Sequence, residues 1–592
     1  MNRNNGREDS LLKENDVNSL FHKRDIPKPK QINFVVDSKS VSDGENKTYV
    51  VELDVDFECR VGDLLEGFDS RTNRRFLMMI SDLDYAFPHR EEHAQMLDIM
   101  RQRHKEVDDA TFNALCKNVA ICNLLGEIKE NEINETGYRP SKYTTTAIKA
   151  SPGTEKLMAV GWDQGIELGC LRVGREERNR IPICFPTTEL AGKRLLIVGQ
   201  TGKGKSTTMR QLLDGHIRLM HENPPERKVG YLVDDFKMEY PFETYNQKKE
   251  KVPGLVDNAP EASKEQIVIL TAFPERYKEY KSRVKDILKL ALPLESLSLS
   301  TFCDLTDLTS AQTNLVRLVA GNKKTTSRSF FEDLFAEDEF GNPDMMRWGR
   351  KYGSIFYSKA GKAKAKKGQE IEDESDLDST RLTERLPYII NAAKRILNMS
   401  FVTKSAIEGD CFPKLISYLR NGFTVILDKK GFDDYQSELL TVLLLSKIFS
   451  YNQKLASGSE EQRDQMVPIV IAIEEAQYLL SEKKTANPDS IFYKIAFTGR
   501  SYQIGLLAIT QRPQAIQKEL LGQFDGFFVL PLEHANDFRH LADACPALSG
   551  YRNDLASGGV GSGVLAYGAP KKVVSVQIKN YEKGSAKAPL IK

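Results

Sequence analysis

The sequence predicts an α/β protein: a core on a mainly parallel sheet, preceded by a small β-barrel and carrying a helical insertion. Three observations lead there. Residues 195–213 read LLIVGQTGKGKSTTMRQLL, a buried strand, a glycine-rich turn and an amphipathic helix in direct succession. Downstream, the apolar runs KVGYLVDD, QIVILTAF, GFTVILD, VPIVIAIEE, GLLAIT and GFFVLPL alternate with helical stretches, as strands of a parallel sheet with crossovers do. Upstream, from Gln31, the apolar runs are short, alternating and broken by turns.

Taken in order, residues 1–30 are polar, end in Pro27-Lys28-Pro29-Lys30 and read as a flexible lead. Residues 31–185 contain INFVVD, TYVVELDVDFE and RRFLMMISDLD, with Gly62 and Asp63 in a turn, which suggests a barrel or sandwich. A helical composition at about 88–120 interrupts it, and strand-like runs resume at VAICNLLGEIKE and MAVGWDQGIELGCLRVG, so closure is expected near residue 185. The core is expected over 186–292 and again over 413–580. Between them, 293–412 lacks strand signals and reads as helical, with PDMMRWGRKYGSIFYSKAG and RLTERLPYIINAAKRILNMS its clearest pieces. Inside it, a lysine block followed by an acidic block at about 358–380 reads as a mobile surface loop, with a nucleic-acid tail as the alternative. KKVVSVQI forms a last strand before a polar tail, 581–592.

Composition sets outer limits. The 592 residues exceed one core and suggest three or four units. Eighty-four basic and 83 acidic side chains leave a net charge of +1, so bulk charge does not announce a nucleic-acid partner, although a ring can confine positive charge to a channel. The eight cysteines are scattered without a CxxC pair, which reads as reduced thiols and not as a metal site. With no apolar signal core and no run of 18 apolar residues, a soluble cytoplasmic protein with no membrane partner is expected.

Gly199-Gln200-Thr201-Gly202-Lys203-Gly204-Lys205-Ser206 fits GxxxxGKS, and Thr207 continues into the helix. Glycines let the backbone close into a nest of N–H groups around phosphates, Lys205 reaches the terminal phosphates, and the Ser206 hydroxyl suits Mg²⁺. ATP and Mg²⁺ are therefore the expected ligands. Val467–Leu480 has the form of a Walker B strand, expected to bring its acids beside the P-loop. Glu474 takes the Mg²⁺-associated place and Glu475 the place of the group that orients or deprotonates water. Asp235, ending an earlier strand, is a further metal candidate. At the end of GLLAITQRP, Gln511 is the choice for sensing the γ-phosphate. Arg500 follows a helix and is poorly placed for its own nucleotide, so it reads as an arginine finger for a neighbour or as a surface salt bridge, with Arg512 competing for the finger.

Together these residues resemble the HerA ATPases of the HerA–FtsK group over roughly 31–578. The pieces are the RVGDLLEG turn, LLIVGQTGKGKST, LVDDFKMEY, IEEAQYLL and TGRSYQIGLLAITQRP. LVDDFKMEY is similar to the family's D-P-H-G-E-Y element at Asp235, Glu239 and Tyr240 but departs at Phe236, Lys237 and Met238, and Gln477 stands where the family commonly has His. The resemblance implies a HAS-type barrel before a RecA-like P-loop ATPase core, Arg500 as a trans-acting arginine, and a homo-hexameric ring that translocates double-stranded DNA as a helicase-type motor. It also implies a separate nuclease or sirtuin-like effector subunit, in DNA repair or antiviral defence. The alternative is a nucleotide-gated hexameric scaffold that switches an effector, with DNA movement secondary.

Overall fold

The computed structural model describes residues 33–40, 47–54, 56–86, 117–245, 249–306, 308–321, 325–352, 379–488 and 490–581. The polar lead, most of the expected 88–120 insertion, most of the 358–380 charged segment and the tail after Tyr581 lie outside them. The chain divides into two compact units, Met1–Leu157 and Met158–Lys592.

In the first unit, β1 (Asn33–Ser40), β2 (Lys47–Glu52), β3 (Leu64–Asp69), β4 (Arg74–Ala86), β5 (Lys117–Lys129), β6 (Glu132–Asn134) and β7 (Thr145–Lys149) form one antiparallel sheet. Because β2 pairs with β5 as well as β1, six of these strands close into a barrel, with β6 added outside the ring. Inward residues at period two, among them Val35, Val51, Leu65, Met78, Ile80 and Cys122, fill the interior. Residues 117–120, expected at the end of a helical insertion, already belong to β5.

The second unit is built on a twelve-stranded sheet. Its strands are β8 (Ile166–Val173), β9 (Glu176–Phe185), β10 (Arg194–Val198), β11 (Gly230–Asp235), β12 (Ile267–Thr271), β13 (Asp286–Lys289), β14 (Thr424–Asp428), β15 (Ile469–Ile473), β16 (Ile504–Thr510), β17 (Gly526–Val529), β18 (Ser562–Tyr567) and β19 (Lys572–Ile578). Their order is β13-β12-β14-β11-β15-β16-β10-β17-β18-β19-β8-β9, parallel from β13 to β17 and antiparallel beyond. The α/β class, the mainly parallel sheet and the preceding barrel are as the sequence predicts.

One expected boundary moves. Residues 166–185, read as the closing strands of the barrel, are β8 and β9 of the core sheet, where Leu171 pairs with Val576 of β19. The physical reason is visible in the burial of β8, which is covered on both faces over most of its length. A barrel strand exposes alternate residues, whereas β8 lies under the helix that follows the P-loop, α1 (Lys205–Glu222), with Ile166 against Gly215. A second difference is β18, a strand in a region that reads as helical and glycine-rich turns.

Helical composition over 293–412 is realised in α2 (Ser310–Ala320), α3 (Ser327–Leu334), α4 (Met345–Tyr352) and α5 (Ser379–Leu397). Trp348 packs edge-on against Phe330 and donates to the Asp333 carbonyl at 3.1 Å, while the fully buried Asp333 carboxylate accepts from Arg347 and ion-pairs with Lys351. The insertion thus carries its own small core.

Two buried polar contacts tie distant parts of the core unit together. Arg172 on β8 meets Asp554 in a bidentate pair at 2.7 and 2.6 Å, and Ser575 of β19 donates to the same carboxylate at 3.0 Å. Removing one partner strands the other charge in the interior, so Asp554→Ala is expected to cost about 3–5 kcal/mol in a denaturant titration.

His216 on α1 is fully buried, with Nε2 3.0 Å from the Val229 carbonyl and Nδ1 3.1 Å from the Thr187 hydroxyl. Its Nε2–H donates to that carbonyl, which leaves Nδ1 to accept from Thr187 and makes the ring neutral. Burial pushes its pKa down to about 4. The folded state therefore disfavours protonation relative to the unfolded chain. The contribution is whole above about pH 6.5 and is lost as pH falls towards about 4, amounting to about 3 kcal/mol. His216→Gln is expected to flatten the dependence of the denaturation midpoint on pH across that window, whatever it costs at neutral pH.

Candidate active site

The P-loop closes for local reasons. Gly202 and Gly204 have φ of 78° and 112°, where a side chain is strained, and Gly204 directly precedes α1. A Cβ on Gly199 would stand 2.7 Å from the Leu530 side chain, so only glycine lets the loop leave β10 alongside β17. Lys205 Nζ donates to the Gln200 carbonyl at 3.0 Å, curling back over the loop. Burial lowers its pKa, and the nearby Glu475 and Glu474 carboxylates push it back up. Ser206 and Thr207 occupy the half-buried first turn of α1.

Strand order puts the remaining groups along one edge. Val198, the last residue of β10, is in register with Thr510 of β16, and Ile473 of β15 with Ala508. The Walker B strand is therefore not directly beside the P-loop strand; β16 runs between them. Beyond β15 lies β11, where Asp234 pairs with Ile473. Asp235, Glu474, Glu475 and Gln511 thus emerge at the same carboxyl-terminal edge as Gly199 to Lys205.

Each of these acids is held differently. Asp235 is fully buried, and its two oxygens accept the backbone N–H groups of Glu239 and Tyr240, both at 3.0 Å. Burial, countered by those N–H groups, raises its pKa. Glu474 accepts a short hydrogen bond from the Tyr240 hydroxyl, and burial together with the Asp235 charge pushes its pKa well up. Glu475 sits at φ 48°, left-handed for a residue with a Cβ. Its carboxylate accepts from Gln477 Nε2 at 2.6 Å and lies 3.5 Å from Gln511 Nε2. Gln511 Oε1 in turn accepts from the P-loop hydroxyl of Thr201 at 2.8 Å.

Arg500 is not with them. It belongs to a short 3₁₀ turn, Gly499–Tyr502, before β16, and its backbone lies against Gly192, before β10. The P-loop leaves the other end of β10, so five strand residues, about 16 Å at roughly 3.3 Å each, separate the two levels. Its side chain is exposed, as is that of Arg512, which stays at the P-loop edge.

Sequence reading missed three contacts at this site, the last two of them with the P-loop. Tyr240 carries the hydroxyl bound to Glu474. Glu533, after β17, lies 3.6 Å from Lys203 Nζ. Gly561, in the turn before β18, donates its N–H to the Lys203 carbonyl at 3.1 Å. Only Tyr240 had a local signal, as part of LVDDFKMEY.

A glycine nest opening a helix beside a parallel-sheet edge that carries buried carboxylates is the site of a P-loop ATPase, and the chain is one. More narrowly, it resembles the HerA ATPases. The family described as the central domain of helicase HerA matches residues 166–448. Several relatives bear the name DNA double-strand break repair helicase HerA, two of them matched over most of their length. That of Pyrococcus furiosus is 22% identical over 506 residues, covering 79% of each chain. That of Sulfurisphaera tokodaii is 20% identical over 436 residues, covering 72% of this chain and 70% of the relative. Among solved structures, VirB4 of Thermoanaerobacter pseudethanolicus is 14% identical, with a TM-score of 0.36, over 70% of this chain and 96% of that one. The bacterial conjugative coupling protein TrwBdeltaN70 is also 14% identical, with a TM-score of 0.38, over 78% and 99%.

The Tyr240 hydroxyl is the one donor recorded on Glu474 among the described residues. Tyr240→Phe leaves that half-buried acid without it, and a loss of about 1 kcal/mol is expected in thermal or denaturant unfolding without nucleotide.

Proposed function

We propose that this chain is a subunit of a homo-hexameric ring that hydrolyses ATP to translocate double-stranded DNA. A separate nuclease or other effector would act with it in DNA end processing or anti-phage defence. The observation that carries the ring is the separation of Arg500 from its own P-loop by the length of β10. A guanidinium at the far end of the strands can serve the phosphates of a neighbouring subunit but not its own. The names of the two HerA relatives, both DNA repair helicases, support DNA as the track. Among the described residues no helix is long and apolar enough to cross a membrane.

On this reading the N–H groups of Gly199 to Thr207 and the Lys205 ammonium receive the phosphates. Glu475 orients the attacking water and takes up its proton, while Gln511, bridged to Thr201, reports the γ-phosphate. The neighbour's Arg500 stabilises the charge that grows on the transferred group. Ser206 and Glu474 are hard oxygen donors that fit Mg²⁺, and a cation there relieves the repulsion and desolvation that burial imposes on Glu474. Bound with the nucleotide, Mg²⁺ would neutralise phosphate charge. Asp235, with both oxygens on backbone N–H groups, serves first to shape the loop that carries Tyr240.

The balanced net charge favours the second reading, a nucleotide-gated scaffold that switches an effector. ATPase measured with and without duplex DNA separates the two: a translocase is stimulated, with a steep loss of stimulation as salt rises. A scaffold responds to its protein partner instead.

Lys205→Ala, Glu475→Gln and Arg500→Ala are each expected to lower turnover by about 10³-fold or more. Mixing Glu475→Gln with Arg500→Ala subunits is expected to restore measurable ATPase, because the first supplies the arginine and the second the carboxylate. If mixing restores nothing while rings still form, Arg500 does not act in trans.

A further inference from the structure

From the hydrogen bonding behind Glu475, we infer that Gln477 is a positioning residue for ATP hydrolysis: it holds the Glu475 carboxylate in place and ties it to the end of β16. This inference rests on the assignment of Glu475 made above. Gln477 is 6% exposed. Its Nε2 donates to Glu475 at 2.6 Å, and its Oε1 accepts from the Thr510 hydroxyl at 2.6 Å. Thr510 itself accepts the backbone N–H of Arg512 at 2.9 Å.

The polarity of this chain is set by chemistry. An ionised carboxylate only accepts, so the amide must turn its NH₂ towards Glu475 and its oxygen towards Thr510. Thr510 must then spend its single proton on Gln477 and receive the Arg512 N–H with a lone pair. Every member points the same way, and such chains reinforce one another.

Glu475 needs an external hold because its backbone does not settle it. Its φ of 48° lies in the left-handed region, strained for a residue with a Cβ and held only where the surroundings over-determine it. The next residue is anchored, since the Ala476 N–H donates to the Ile509 carbonyl of β16 at 2.9 Å. Gln477 is therefore carried to a fixed place over Thr510, and from there its amide reaches back to the carboxylate. On the other side Gln511 approaches the same carboxylate and is bridged to Thr201 of the P-loop. Glu475 thus hangs between two glutamines, Gln477 hydrogen-bonded to Thr510 at the end of β16 and Gln511, the residue after it, bridged to the phosphate loop. A change at the P-loop reaches Glu475 through Gln511, while Gln477 keeps it aimed.

The donor and acceptor pattern names its own substitute. A neutral imidazole can donate one ring N–H to Glu475 and accept from Thr510 with the other nitrogen, as His at this position would. Alanine can do neither.

The test uses the full chain and measures kcat, KM, binding of a fluorescent non-hydrolysable ATP analogue, and melting temperature. Gln477→Ala is expected to lower kcat by about ten- to a hundredfold, less than the about 10²–10⁴ that a base itself contributes. Analogue affinity should stay within about twofold, since phosphate contacts are untouched. Gln477→His is expected to recover most of kcat. Thr510→Val should lower kcat in the same direction, and the double variant with Gln477→Ala should be no slower than Gln477→Ala alone, because Thr510 acts through Gln477. An unchanged kcat in Gln477→Ala beside an inactive Glu475→Gln overturns this inference alone. So does a kcat loss matched by equal losses in analogue affinity and melting temperature, or a histidine variant as slow as the alanine one. Normal turnover in Glu475→Gln overturns the active-site assignment and this inference with it.

Discussion

Residues Ile469–Ile473 of β15 are buried on both faces between β11 and β16, and the arrangement of the site follows from that burial. An unpaired charge inside such a strand would cost several kcal/mol, so the acids can appear only where the strand leaves the sheet. Its neighbours are parallel and obey the same rule. β11 ends in Asp235, β16 in Thr510 and β10 in the residue before Gly199. Running the strands in one direction therefore gathers phosphate loop, acids and polar strand ends on one edge, without any long loop having to carry them there. The sheet is the positioning device, and α1 with its buried face of Met209, Leu212, Leu213 and Ile217 locks the P-loop to it.

That gathering has an electrostatic consequence. Burial disfavours the charged forms of Asp235 and Glu474, reinforced by the Asp235 charge beside Glu474 and the Glu239 charge beside Asp235. The protein offsets this with backbone N–H groups on Asp235 and a tyrosine hydroxyl on Glu474, and it leaves Lys205 close by, itself depressed by burial. On the proposed reading, such an edge suits a ligand that brings compensating charge of both signs, phosphate for the lysine and a divalent cation for the acids.

What could be read from sequence divides along physical lines. Gly199 to Ser206 and the VPIVIAIEE run were legible because their chemistry is local: positive-φ glycines before a helix, and an apolar strand that must end in its acids. Strand order was not local. Nothing in GLLAIT says that β16 inserts between β10 and β15, although this is what brings Thr510 and Gln511 to Glu475. The boundary near residue 185 failed for a related reason, since a short apolar run such as IELGCLRV fits a barrel strand or a doubly covered sheet strand equally well, and only its pairing with Leu565's neighbour strand β19 decides. Tyr240 and Gln477 lay inside quoted motifs, but their partners are 234 and 33 residues away, beyond any periodicity argument.

The same geometry bears on why one subunit is an incomplete engine on the proposed reading. A parallel sheet collects its catalytic groups at one edge and, by the same token, sends whatever precedes its strands to the other. Arg500 precedes β16 and lies against the turn that precedes β10, so a longer or more flexible side chain would not bring it to its own P-loop. Lengthening the strands would move it further away. A charge delivered from that end can complete a phosphate site only if a second sheet edge is set against it. On that reading hydrolysis depends on how neighbouring subunits meet, and the contacts among Thr201, Gln511 and Glu475 are the path by which the state of the nucleotide is communicated to the strand whose far end carries that arginine.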